Sequence, residues 1–308
     1  MDVTLLLIKQ IVIMFLYMAC GFFLFKGKKI TKEGSASTAN LLVWLIIPVV
    51  LVKSFCVEPT GDRIGALGLS FLLAVLALGL SISLSAVVFK NHPIENIAAA
   101  FSNAGFLGIP LVTATIGGEY VFFIAFFVAM LNILQWVYGV AVITDSKMRF
   151  NKSTLLHPLI LSVGIGLVLF FTGWGAKLPA VVHSTMNGIA AANAPIAMFV
   201  MGVYLAQADL KNLLKNKWLY MVSLIRLLVT PVLTLLLFWG LQAILPAMEK
   251  QMLLALFITA VAPAGANVAV YAQLYNKDYV YASTTVVVST LLCLATMPLM
   301  VLAAQYLF

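Results

Sequence analysis

Charge is scarce in this chain. Only 9% of its 308 residues are charged and ten are acidic, against about 25% charged in a typical soluble domain. With 63% of the chain hydrophobic, a soluble fold is excluded. Cysteine is equally sparse: Cys20, Cys56 and Cys293 lie in or at the end of apolar stretches without CxxC spacing, which reads as free thiols and not as a disulfide or metal framework. The three histidines, His92, His157 and His183, stand far apart at the ends of apolar runs. No HExxH and no GxxxxGK[ST] phosphate cradle is present, so neither a metal site nor an ATP motor has support. No nucleophile–base constellation is visible either, which argues against an enzyme and calls for no cofactor. The net charge of +8 carries no run of basic residues interleaved with aromatics, so no nucleic-acid partner is expected.

What the chain does have is long apolar runs. They cover residues 4–25, 36–56, 65–89, 94–116, 120–143, 156–174, 182–206, 218–242, 250–275 and 279–304. A spanning helix needs about 20 such residues, and continuous runs, as opposed to alternation over about ten, mean helices and not a barrel. The expected fold is therefore an all-α polytopic membrane protein of ten transmembrane helices. The start, Met1-Asp2-Val3-Thr4, lacks the basic segment of a cleaved leader, so the first run is expected to be retained.

Loop charge gives the orientation. Loops after odd-numbered spans carry Lys26, Lys28, Lys29, Lys32, Lys90, Lys147, Arg149, Lys152, Lys211, Lys215, Lys217 and Lys277, whereas those after even spans carry only Lys53, Arg63, Lys177 and Lys250. The positive-inside rule makes the odd loops cytoplasmic. A multi-pass protein of the cell (inner) membrane with both termini outside is expected.

An internal likeness accompanies this plan. At an offset of 159 residues, Glu119-Tyr120-Val121-Phe122 falls on Asp278-Tyr279-Val280-Tyr281, and Asn103-Ala104-Gly105-Phe106-Leu107-Gly108 falls on Ala262-Pro263-Ala264-Gly265-Ala266-Asn267. Each stretch sits in the fourth span of a five-span half, and a repeat with an odd number of spans must insert upside down. Two units are expected, 1–150 and 151–308, related as inverted repeats of the secondary-transporter kind. Both fourth spans hold glycine and proline near mid-span, around Gly105 to Pro110 and Pro263 to Asn267. Proline removes a backbone donor, and glycine tolerates the unwound backbone that results. Broken helices at matched positions point to a midplane binding site; an ordinary kink or close small-residue packing is the plainer alternative.

The stretch Asn103-Ala104-Gly105-Phe106-Leu107-Gly108-Ile109-Pro110, the run Ala194-Pro195-Ile196-Ala197-Met198-Phe199-Val200-Met201-Gly202 and the segment Arg226-Leu227-Leu228-Val229-Thr230-Pro231 resemble bacterial members of the auxin efflux carrier family. The resemblance covers the whole chain. It implies a scaffold and a mobile transport domain, each assembled from both repeats, with spans 4 and 9 crossing at the substrate site. Bile-acid/sodium symporters share that general plan. Plant auxin carriers place an Asn-Pro pair in both crossing helices; here Asn103-Ala104 keeps one half of the pair and Ala262-Pro263 the other. The long cytoplasmic loop of many plant members is absent, so the resemblance implies a small organic acid anion such as malate or malonate ahead of an auxin-like acid.

Charge chemistry also favours an anion. A half-helix starting at mid-membrane offers unpaired N–H groups and about half a positive charge, and two such ends facing one cavity suit a carboxylate. The candidate substrate-binding residues are Asn103, Gly105, Gly108, Pro110, Pro263, Gly265, Asn267, Arg226 and Asn132. The amides of Asn103 and Asn267 either donate to the ligand or cap the broken ends. Arg226 either attracts the anion or holds carbonyls between helices. Asn132 and Gln135 in the fifth span, and Ser289 and Thr290 in the tenth, have helix–helix hydrogen bonding as their default role. No Asp or Glu lies in mid-span: Glu95 and Glu119 are at the ends of span 4, and Asp145 and Asp209 are in loops. Proton or sodium antiport is therefore poorly served. The leading expectation is a secondary carrier of an organic anion driven by membrane potential. A sodium-coupled symporter of the bile-acid type and a membrane sensor are the alternatives. The expected partners are the anion and the lipid bilayer, with a homodimer left open.

Overall fold

A computed structural model of the chain describes residues 3–148, 156–207, 215–245 and 249–308. Arg149, Lys152, Asp209 and Lys211 lie outside the described residues. The described part is helical, with one isolated antiparallel bridge and no strand. Apart from a short turn of 3-10 helix at Gly175–Lys177, the described residues form twelve helical segments: α1 (Val3–Lys26), α2 (Lys32–Ser54), α3 (Gly61–Val88), α4 (Pro93–Ala100), α5 (Ala104–Thr115), α6 (Gly118–Thr144), α7 (Pro158–Phe171), α8 (Ala180–Gln207), α9 (Lys217–Ile244), α10 (Lys250–Ala260), α11 (Asn267–Leu274) and α12 (Tyr279–Leu307). Among them α2, α3, α6, α8, α9 and α12 are long and apolar enough to cross a bilayer. The chain is a polytopic, all-helical membrane protein.

Local chemistry sets the helix starts. The Thr31 hydroxyl accepts the Gly34 N–H at 3.1 Å, Asn216 Oδ1 accepts that of Trp218 at 3.0 Å, and Asp278 Oδ1 accepts that of Tyr281 at 2.9 Å. Each satisfies a donor that a helix N-terminus leaves unpaired. Pro93 and Pro158 occupy first-turn positions, where the missing N–H costs nothing.

Pro48, Pro110 and Pro231 are handled differently. Each follows a single wide turn, at Leu42–Ile46, Ala104–Gly108 and Ile225–Val229 respectively. The extra residue in a π turn makes room for the proline ring and accounts for its missing donor. The helix therefore runs on through all three prolines. In the fourth span the interruption is not at Gly105 to Pro110 but upstream, at Phe101 to Asn103, between the end of α4 and the start of α5. In the ninth span it covers Val261 to Ala266.

The two half-helices that precede the interruptions form the buried axis of the bundle. Every residue of α4 from Ile94 to Ala100 is buried, as is every residue of α10 from Met252 to Ala260. Around this axis pack α3, α6, α9 and α12, while α1 lies along α8 and α7 along α2.

Candidate functional site

The two interrupted segments meet. The Asn103 N–H donates to the Pro263 carbonyl at 2.8 Å and the Gly265 N–H to the Phe101 carbonyl at 3.0 Å, so that Ser102 and Ala264 form the antiparallel bridge. The intervening Ala264 N–H donates to the Ser289 hydroxyl of α12 at 3.2 Å. Ser289 thus holds the crossing and is more than a helix-packing hydroxyl. The bridge requires close backbone approach at Gly265, where a Cβ would stand 3.2 Å from the Ser102 carbonyl oxygen. Its register pairs 102 with 264, a separation of 162 that falls between the 160 separating the ends of α4 and α10 and the 163 separating the starts of α5 and α11.

Helix C-termini at mid-membrane expose carbonyls as well as N-termini expose donors, and here one side chain collects them. Arg226, 1% exposed, sits in the wide turn of α9. Its Nε donates to the Ala262 carbonyl at 3.0 Å, and one terminal nitrogen donates to the Ala99 carbonyl at 3.2 Å and the Ser81 hydroxyl at 3.1 Å. The other donates to the Ala260 carbonyl. Ser81 in turn donates to the Ala100 carbonyl at 2.8 Å. A fixed cation therefore faces the negative ends of both α4 and α10, which offsets their dipoles and satisfies their last carbonyls. Arg226 lines neither the cavity at the crossing nor the one beside Pro110, and its bonds to the helix ends are those of a carbonyl-holding side chain.

The opposite sides of the interruptions, the N-termini of α5 and α11, border a cavity of about 310 Å³. Asn103, Gly105, Asn132, Gly265 and Asn267 line it. Gly108 packs against Thr259, Pro110 borders a second cavity, and Pro263 contributes its carbonyl to the bridge; none of these three lines the first cavity. Asn103 makes no side-chain cap; its amide contacts only the Met201 sulfur, at 3.9 Å, a weak partner that a ligand acceptor can displace. The Asn267 amide donates to Gln135 Oε1 at 3.0 Å, and the Asn132 amide to the Val128 carbonyl of its own helix at 2.7 Å. Ser102, buried beside the cavity, has a hydroxyl with no partner.

Gln135, Tyr204, Trp136 and His157 also line the cavity, beyond the candidate binding residues that the sequence offers. Gln135 stands one turn after Asn132 in an apolar helix, and that polar pair was its signal. The aromatics carry none, because aromatic residues are common throughout membrane helices.

The family described as Membrane transport protein matches residues 6–154 and 149–301. A protein of Rhizobium meliloti (strain 1021) named "Putative malonate transporter" is 24% identical over 273 residues, 83% of each chain.

Proposed function

Because the chain belongs to the membrane transport protein family, of the auxin efflux carrier type, and is a transporter and not an enzyme, we propose that it carries a small organic acid anion by alternating access. The observation that carries this reading is the bridged crossing, where two half-helix N-termini and the amides of Asn103 and Asn267 converge on one cavity. Unpaired N–H groups, half-charges and amide donors all complement a carboxylate. A dicarboxylate such as malonate or malate suits the cavity size and is in keeping with the name of the Rhizobium protein.

In this reading α4 with α5, and α10 with α11, each make one span, giving ten in two inverted units, 1–150 and 151–308. The pairing of α1 with α8 and of α7 with α2 supports it, since exchanging the two units converts one pair into the other. Loop charge sets both termini outside. Cysteines introduced at Lys215 should then react only from the cytoplasm, and at Gly61 or Lys177 only from outside. Labelling at Lys215 in intact cells by an impermeant reagent would refute the orientation.

Sodium coupling is disfavoured because the last carbonyls of α4 and α10 are already held by Arg226 and Ser81 and no carboxylate is among the residues lining the first cavity. Without a compensating cation, an inside-negative potential drives the anion outward by about 2.3 kcal/mol per charge per 100 mV. The site is tested by binding of malonate to purified protein in sodium-free buffer. Asn103→Ala and Asn267→Ala should each weaken it about ten- to a hundredfold, the worth of a hydrogen bond to a charged group, and Gly265→Leu should abolish it. Unchanged affinity in all three folded variants would place the substrate elsewhere.

A further inference from the structure

A second cavity, of about 560 Å³, shares no lining residue with the first. It uses the same helices at another level: the first cavity touches α2 between Ala39 and Ile47 and α5 at Ala104 to Phe106, the second α2 between Val50 and Ser54 and α5 from Ile109 onward. Its wall on α8 repeats the wall that α2 gives the first cavity. The pattern Ser37-Thr38, Asn40, Pro48 recurs as Ser184-Thr185, Asn187, Pro195, at a constant separation of 147 residues. At that separation Asn40, Val43, Trp44 and Ile47, all on the first cavity, correspond to Asn187, Ala190, Ala191 and Ala194, all on the second.

Three bulky side chains have thus become alanine, which matches the larger volume, while the asparagine is kept. The second cavity also has what the first lacks, a lysine. Lys53, in the last turn of α2, lines it and has no carboxylate within ion-pair distance among the described residues. His183 also borders the cavity, and the exposed Glu119 is the one carboxylate in its lining. Asn193, 3% exposed, borders it with an amide oxygen that has no partner. That acceptor needs a donor, which a water of a bound anion's hydration shell supplies.

We propose that this cavity is a second carboxylate-binding site, further along α5 from the crossing, with Lys53 as its charge partner and Asn187 as the counterpart of Asn40. The proposal rests on the organic-anion reading for its ligand class, but its test does not depend on the crossing. Cys56 lines the second cavity and not the first, so its alkylation reports occupancy directly once Cys20 and Cys293 are changed to serine. Malonate should slow modification of Cys56 by an impermeant thiol reagent. Lys53→Gln should raise the half-protecting concentration about tenfold, as loss of a charge-assisted hydrogen bond implies. Lys53→Arg should keep protection and Asn103→Ala should leave it unchanged. Absence of protection by malonate, or protection undiminished in Lys53→Gln, overturns the second site. Loss of malonate binding at the crossing in Asn103→Ala, with Cys56 still protected, upholds both sites separately.

Discussion

Replacing Arg226 with methionine should lower the stability of the protein by about 3 kcal/mol or more, with little of the loss traceable to packing. Burying a guanidinium costs several kcal/mol before any partner is counted. That cost is offset here by hydrogen bonds to Ala99, Ala260, Ala262 and Ser81 and by two helix ends of the opposite sign. Methionine fills a similar length but leaves the Ala260 and Ala262 carbonyls without a side-chain donor and Ala99 with only the 3.3 Å contact of Ser81, at about 1–3 kcal/mol for each buried group left unsatisfied. Arg226→Lys keeps the charge but cannot reach all three carbonyls from one nitrogen, so its loss should be intermediate. Thermal unfolding in detergent, read as melting temperature and recovery of monodisperse protein, orders the three proteins. A wild-type melting temperature in Arg226→Met would mean the carbonyls find other partners.

The second large effect is expected where two helices touch through their backbones. Gly21 of α1 and Gly202 of α8 face each other's helix so closely that a Cβ at Gly21 would overlap the Phe199 carbonyl, and one at Gly202 the Met18 carbonyl. Small residues are the usual means of bringing membrane helices together. At these two sites the obstacle is backbone, which cannot swing aside as a side chain can. Gly21→Ala and Gly202→Ala should each cost toward the upper end of the roughly 1–3 kcal/mol typical of overpacking. Gly240→Ala, on α9 with open space around it, serves as the comparison and should cost nothing. Equal melting temperatures for Gly202→Ala and Gly240→Ala would contradict the contact.

Hydropathy alone located the apolar helices because a bilayer demands length and continuity, and both are written residue by residue. The break before α11 was legible for a similar reason: Pro263 and Gly265 lie inside it. For the break before α5 the sequence points instead to Gly105 to Pro110, because proline is the residue that ordinarily breaks a helix. A wide turn absorbs that proline, while the actual gap at Phe101 to Asn103 is made by pairing with a distant segment. Arg226 could be flagged from sequence as a costly charge, but the carbonyls it serves lie 34 to 127 residues away in the chain. The contact of Gly21 with α8 has no sequence signal at all, since Gly79 and Gly164 look the same and touch nothing.

Among the described residues, the side-chain hydrogen bonds that join different segments have an uneven distribution. Tyr281 to Glu95, Tyr138 to Asn96, Asn267 to Gln135, Ala264 to Ser289, and those of Ser81 and Arg226 all lie within α3 to α6 and α9 to α12 together with the segments that link their halves. Between that group and α1, α2, α7 and α8 the only one is the contact of Asn103 with the Met201 sulfur. Directional bonds lock a register, whereas apolar side chains make nearly the same contacts after a shift of one turn. Among the described side-chain bonds, a shift along the boundary between the two groups would break one weak N–H···S contact besides rearranging apolar packing, whereas shear inside the first group would have to break a lattice of strong ones. Amide hydrogen exchange should accordingly be slowest in α4 and α10, whose carbonyl ends that lattice fastens.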